Sequence, residues 1–109
     1  MTEGRDFPYR GWLVWLTQDQ GGRSTGPPLP RADWPHYAAT AFVPPRTVET
    51  GLASFVLRDF QEGAWRSKAR GRWLVVDGVG DQEVRPGTVV VVTEGARPVA
   101  YFTVDEVDG

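Results

Sequence analysis

The sequence has no cysteine and only one histidine, His36. The first absence excludes disulfides, thiolate metal sites and a cysteine nucleophile, and it fits a reducing compartment. The second leaves any metal site dependent on carboxylates, and none near His36 has ligand spacing. No cofactor and no metal is expected. No apolar run approaches the roughly 18 residues of a membrane-spanning helix, so no membrane contact is expected. Residues 1–6 are polar and mixed in charge, without the apolar stretch of a signal peptide, and the expected location is the cytoplasm. A surplus of one charge is lacking too. Twelve basic residues face fourteen acidic ones, a net −2, which gives no global pull toward nucleic acid. A G-x-x-x-x-G-K-[ST] loop occurs nowhere, so no nucleotide is expected.

What is present suits strands. A chain of 109 residues fits one domain, and five Trp, five Phe and three Tyr suffice for a core. Nine prolines and thirteen glycines break any long helical period. Residues 11–17 (with Trp12-Leu13-Val14-Trp15-Leu16) form an aromatic and β-branched run that reads as a first strand. Further strands are expected at 36–43, closed by Pro44-Pro45, and at 53–60, with Phe55, Leu57 and Asp59 on one face. A fourth is expected at 73–76, before the Asp77-Gly78 turn. The run Val89-Val90-Val91-Val92 follows the turn Arg85-Pro86-Gly87, and a last strand covers 98–104. Such spacing predicts an all-β fold, a single small antiparallel barrel of about six strands. Residues 1–8 are expected to be a flexible tail and 9–109 the barrel domain. Apolar edge strands would offer a route to a homodimer; the alternative is a monomer.

The stretch Leu16-Thr17-Gln18-Asp19-Gln20-Gly21-Gly22-Arg23-Ser24-Thr25 resembles the opening of the C-terminal β-barrel, the third domain, of elongation factor Tu. There a strand runs into an acidic Gly-Gly-Arg-x-Thr loop. The order continues with Trp34-Pro35-His36-Tyr37, Thr50-Gly51, the Pro86-Gly87 turn and Pro98-Val99. Residues 58–73 are longer than the corresponding family segment, and the second Gly-Gly-Arg-Thr element of the family is absent. The resemblance implies a closed or nearly closed barrel. It also implies contacts with protein partners or with the tRNA backbone; nucleotide hydrolysis does not carry over, because the G-x-x-x-x-G-K-[ST] loop is missing.

Two constellations are candidate binding sites. Gly21 and Gly22 permit a tight turn, and Arg23 beside Ser24 and Thr25 offers a forked cation and hydroxyls suited to a phosphate or carboxylate. The commoner arrangement is a loop pinned by an ion pair from Arg23 to a barrel carboxylate such as Asp19. In residues 65–73, Arg66, Lys68, Arg70 and Arg72 occupy every second position between Trp65 and Trp73. On a strand they project from one face. Such a row can track a nucleic-acid backbone, or it can be a solvated face or a protected edge strand. Asp59, Glu62, Asp105, Glu106 and Asp108 are available to neutralise it. Trp12 and Trp15 differ in parity, so one of them must leave the core.

Catalysis has little support. His36 with Ser24, Ser54 or Ser67 lacks a G-x-S-x-G elbow, and Asp105 and Glu106 are expected in a tail, on opposite faces. The expectation is a non-enzymatic binding module engaging a protein partner. RNA is the alternative partner, and a small hydrolase the distant one.

Overall fold

An extended backbone sends successive side chains to opposite faces, and that alternation governs most of this chain. The computed structural model describes residues 7–24, 26–27, 36–49, 51–61, 63–74 and 83–108. They contain six strands: β1 (Tyr9–Trp15), β2 (Tyr37–Phe42), β3 (Ala53–Arg58), β4 (Arg66–Trp73), β5 (Val89–Glu94) and β6 (Arg97–Val107). All pairings are antiparallel, and the order β1-β4-β3-β2-β5-β6 closes on itself because β1 pairs with both β4 and β6. The all-β class and the six-stranded antiparallel barrel are as the sequence predicted.

Closure removes every free edge. β4 lies between β1 and β3, so its cations protect no edge.

The fourth strand among the described residues is at 66–73, the cationic stretch itself; of the expected 73–76 it includes Trp73, and Leu74 follows it. Its inward residues Ser67, Ala69 and Gly71 are small and buried, so the strand carries no apolar run that would reveal it. The small side chains leave room for large ones opposite. A Cβ on Gly71 would come within 2.6 Å of the Phe55 ring and 3.0 Å of Phe102. Phe55 packs edge-on against Trp73, with centroids 4.8 Å apart. Toward the other end of the strands, Trp15 meets Tyr37 at 5.2 Å and Phe60 at 5.9 Å. Leu13, Leu57, Val90, Val92, Val99 and Val104 fill the space between. The Asp77-Gly78 turn and Val75-Val76 lie outside the described residues.

Three further boundaries differ from expectation. β3 stops at Arg58 because Asp59 takes a left-handed backbone (φ 63°), which turns it away from Phe55 and Leu57 and lets Phe60 enter the core. Phe7 is buried and the Pro8 carbonyl accepts a hydrogen bond from the Asp108 amide, so residues 7 and 8 are docked to the barrel. β6 runs on to Val107, and Asp105 and Glu106 are strand residues. Arg10 faces Glu106 while Gly11 faces Val104, leaving Asp105 as the extra residue of a bulge. The bulge breaks the alternation, so Asp105 and Glu106 are both exposed.

Candidate functional site

After β1 the chain enters a turn built to be rigid. Thr17 caps a 3-10 turn (Gln18–Gln20): its hydroxyl accepts from the Gln20 amide, and the Gln20 side chain accepts from the Thr17 amide. Gly21 follows in the left-handed region at φ 87°, where a Cβ is disfavoured. Gly22 passes so close to β1 that a Cβ would stand 2.3 Å from the Leu16 carbonyl oxygen. Both glycines are thus required by the turn itself.

Arg23 is engaged, although not with Asp19. Its Nε donates to the Gly26 carbonyl at 2.8 Å, and its Nη1 forms an ion pair with Glu94 at the end of β5. Asp19 lies on the outer side of the turn, whereas Glu94 is brought alongside by barrel closure. The same Glu94 carboxylate accepts a hydrogen bond from the Tyr37 hydroxyl. Burial, reinforced by that carboxylate, pushes the Tyr37 phenol well above its ordinary value. The Gly21-Gly22-Arg23 segment therefore clasps one end of the barrel. Thr25 and Trp34 lie outside the described residues.

Trp65 stands beside this clasp. Its carbonyl accepts from the Trp15 amide, and its ring lies over Gly26, where a Cβ would be 3.6 Å away. The ring is 45% exposed, one of the most open large apolar side chains among the described residues.

From Arg66 onward the expected alternation holds, with all four cations outward and Trp73, 1% exposed, on the core side. Trp73 is therefore a packing residue. The cations differ sharply in their surroundings. Arg66 and Lys68 sit 4.3 and 5.6 Å from the Trp12 ring, and neither meets a carboxylate among the described residues. Arg70 lies 3.6 Å from Asp59 and 3.8 Å from Asp108. Arg72, with Arg58, covers the Phe7 ring at 5.3 and 4.7 Å. Arg10 pairs with Glu106 at 3.0 Å and Asp108 at 2.9 Å. A shallow depression of about 250 Å³ beside Lys68 is lined by three cations (Arg10, Lys68, Arg70) and three carboxylates (Asp59, Asp105, Glu106). The row of four is thus not uniform: Arg70 is compensated, whereas Arg66 and Lys68 over Trp12, and Arg72 over Phe7, meet no carboxylate among the described residues.

What the composition of the row conceals is its neighbours. Across the outside of the barrel, Arg66 pairs with Val14, Val14 with Tyr101, Tyr101 with Val91 and Val91 with Phe42. In the next rung Lys68 pairs with Trp12, Trp12 with Thr103 and Thr103 with Val89. β4, β1, β6 and β5 thereby lay an apolar band on the outer wall, beside Arg66 and Lys68, while Val91 on the same side is covered. Val14, Val89 and Tyr101 are each about 40% exposed (37, 38 and 42%). The parity of Trp12 and Trp15 was the legible signal: Trp15 is buried, and Trp12 is the one outside. Tyr101 and Val89 gave no signal, since both lie in runs that read as core.

His36 is half-buried just before β2, its ring 5.3 Å from Phe7. Among the described residues, no three His, Asp or Glu side chains are grouped to hold a metal ion. No helix there is long and apolar enough to cross a membrane.

Fold and surface together define a small closed antiparallel barrel with an apolar outer band flanked by cations. Compared with protein-family models, with curated proteins and with solved structures, the chain matches none.

Proposed function

We propose that the protein is a non-enzymatic, cytoplasmic interaction module that engages a protein partner through the outer wall of β4, β1, β6 and β5. The observation that carries this reading is the band of Trp12, Val14, Tyr101 and Val89, outside a core that is already complete without them. Aromatic and aliphatic side chains that the fold does not need for packing, held on rigid strands, are the usual material of protein interfaces. Trp65, exposed above the Arg23–Glu94 clasp, extends the surface at one end. The likeness of the Gly21-Gly22-Arg23 segment to the C-terminal barrel of elongation factor Tu supports a translation-factor-like module. The absence of cysteine suits a reducing compartment.

A phosphate backbone would need a longer run of free cations than Arg66 and Lys68 supply. The test is site-specific photo-crosslinking in cells, with a photoreactive residue at Val14 or Tyr101 and, as control, at exposed Ser54 on β3. Protein adducts at 14 and 101 but not at 54 are expected. Nucleic-acid adducts at those positions would replace this reading with the RNA one.

A further inference from the structure

Resting on the protein-binding reading, we infer that the partner of this face is an acidic segment bearing aliphatic or aromatic anchors. The charge pattern decides the sign. Along the outer wall the open band runs from Val89 and Tyr101 on one flank to Arg66 and Lys68 on the other. Those two are the cations beside the band, and neither meets a carboxylate among the described residues. Trp12 holds both heads in place from below, at 4.3 and 5.6 Å. A guanidinium and an ammonium fixed over an indole face have already lost much of their rotamer freedom, so a carboxylate binding there orders little more.

The wall also says what does not fit. A basic partner would bring like charge onto Arg66 and Lys68. A nucleic-acid strand passing Lys68 would meet Arg70, already shared by Asp59 and Asp108, beside a depression that exposed Asp105 and Glu106 also line. An acidic chain with apolar side chains satisfies both parts of the surface at once. Its carboxylates lie toward β4, and its anchors lie over Val14, Tyr101 and Val89.

The experiment is an NMR titration of the isotope-labelled full chain, read at backbone amides and the Trp12 indole. Four synthetic peptides and tRNA are the probes. The first peptide alternates Glu or Asp with Leu, Val and Phe; the second has Lys for its acids; the third has Ser for its apolar residues; the fourth is scrambled and neutral. The inference expects shifts at Trp12, Val14, Tyr101 and Val89 with the first peptide, and clearly weaker binding of the other three. Arg66→Ser with Lys68→Ser should lower affinity by about five- to tenfold, and Val14→Ser with Tyr101→Ser by at least about tenfold. Preference for the Lys peptide on the same residues overturns the acidic partner but keeps a protein-binding face. Shifts produced by tRNA and by no peptide overturn both. Concentration-dependent dimerisation through the same residues, or equal binding of the Ser peptide, overturns the inference alone.

Discussion

The Arg66 guanidinium lies 4.3 Å from the centroid of the Trp12 ring, on the outside of the barrel, with Lys68 reaching the same ring at 5.6 Å. One aromatic side chain therefore carries two cations that the rest of the wall does not neutralise. The relationship exists because β1 and β4 are paired with Trp12 opposite Lys68 and Val14 opposite Arg66.

Removing these cations should leave the fold intact. An exposed cation–aromatic contact contributes about 0.5–1 kcal/mol. Arg66→Ala is expected to lower the urea midpoint only slightly, while moving the Trp12 indole resonance and leaving that of buried Trp73 in place. A large loss of stability would mean that Arg66 supports the barrel in a way this geometry does not provide.

The two glycines of β1 and its turn should differ in a definite order. A Cβ at Gly11 would stand 1.9 Å from the Thr103 carbonyl oxygen, which is backbone and cannot step aside. Gly11→Ala is expected to cost about 3 kcal/mol, at the upper end of overpacking effects. Gly21 has nothing within 4 Å but sits at φ 87°. Its change to Ala should cost about 1 kcal/mol, the strain of a left-handed residue alone. Equilibrium unfolding of both variants checks the order.

Thr40 and Thr93 hold the seam between β2 and β5. Their hydroxyls are 2.5 Å apart and each also reaches the other's carbonyl at 3.3 Å. Thr93 is fully buried. Thr93→Val leaves the Thr40 hydroxyl short of its partner and should cost about 1–3 kcal/mol, and the double change to Val should recover part of that loss. A double-mutant cycle with zero coupling would refute the pairing.

Alkaline pH should weaken the barrel through Tyr37. Its phenol is raised first by burial, then by the Glu94 carboxylate, with Arg23 acting in the opposite sense. The folded chain therefore keeps this proton at pH values where the unfolded chain, with a phenol near pH 10, releases it. The contribution is intact below about pH 10 and declines as pH rises further. In Tyr37→Phe the alkaline fall in stability should become shallower. An unchanged pH profile would remove Tyr37 as its cause.

The strands were legible where hydrophobic alternation was strong. Leu13 and Trp15, Phe55 and Leu57, and the Val89 to Val92 run each placed a strand within two or three residues of where it lies. β4 was legible as an alternation of cations and small residues, but not as a core strand. Its inward positions are Ser67, Ala69 and Gly71, whose burial depends on Phe55 and Phe102 filling the space above them. The bulge at Asp105 had no marker in the chain, because it arises from Gly11 closing against Thr103.

By itself the sequence determined the all-β class, the lack of any thiol, and the outward projection of Arg66, Lys68, Arg70 and Arg72. Each follows from residue type and the two-residue period of an extended chain, which are local properties. Tertiary structure alone decided which cations stay uncompensated, that Arg23 pairs with Glu94 and not Asp19, and that Val14, Tyr101 and Val89 meet beside Trp12. Those outcomes depend on strand register around a closed barrel. Register joins residues as far apart in the chain as Tyr9 and Val107, and it is fixed by the packing of the whole core.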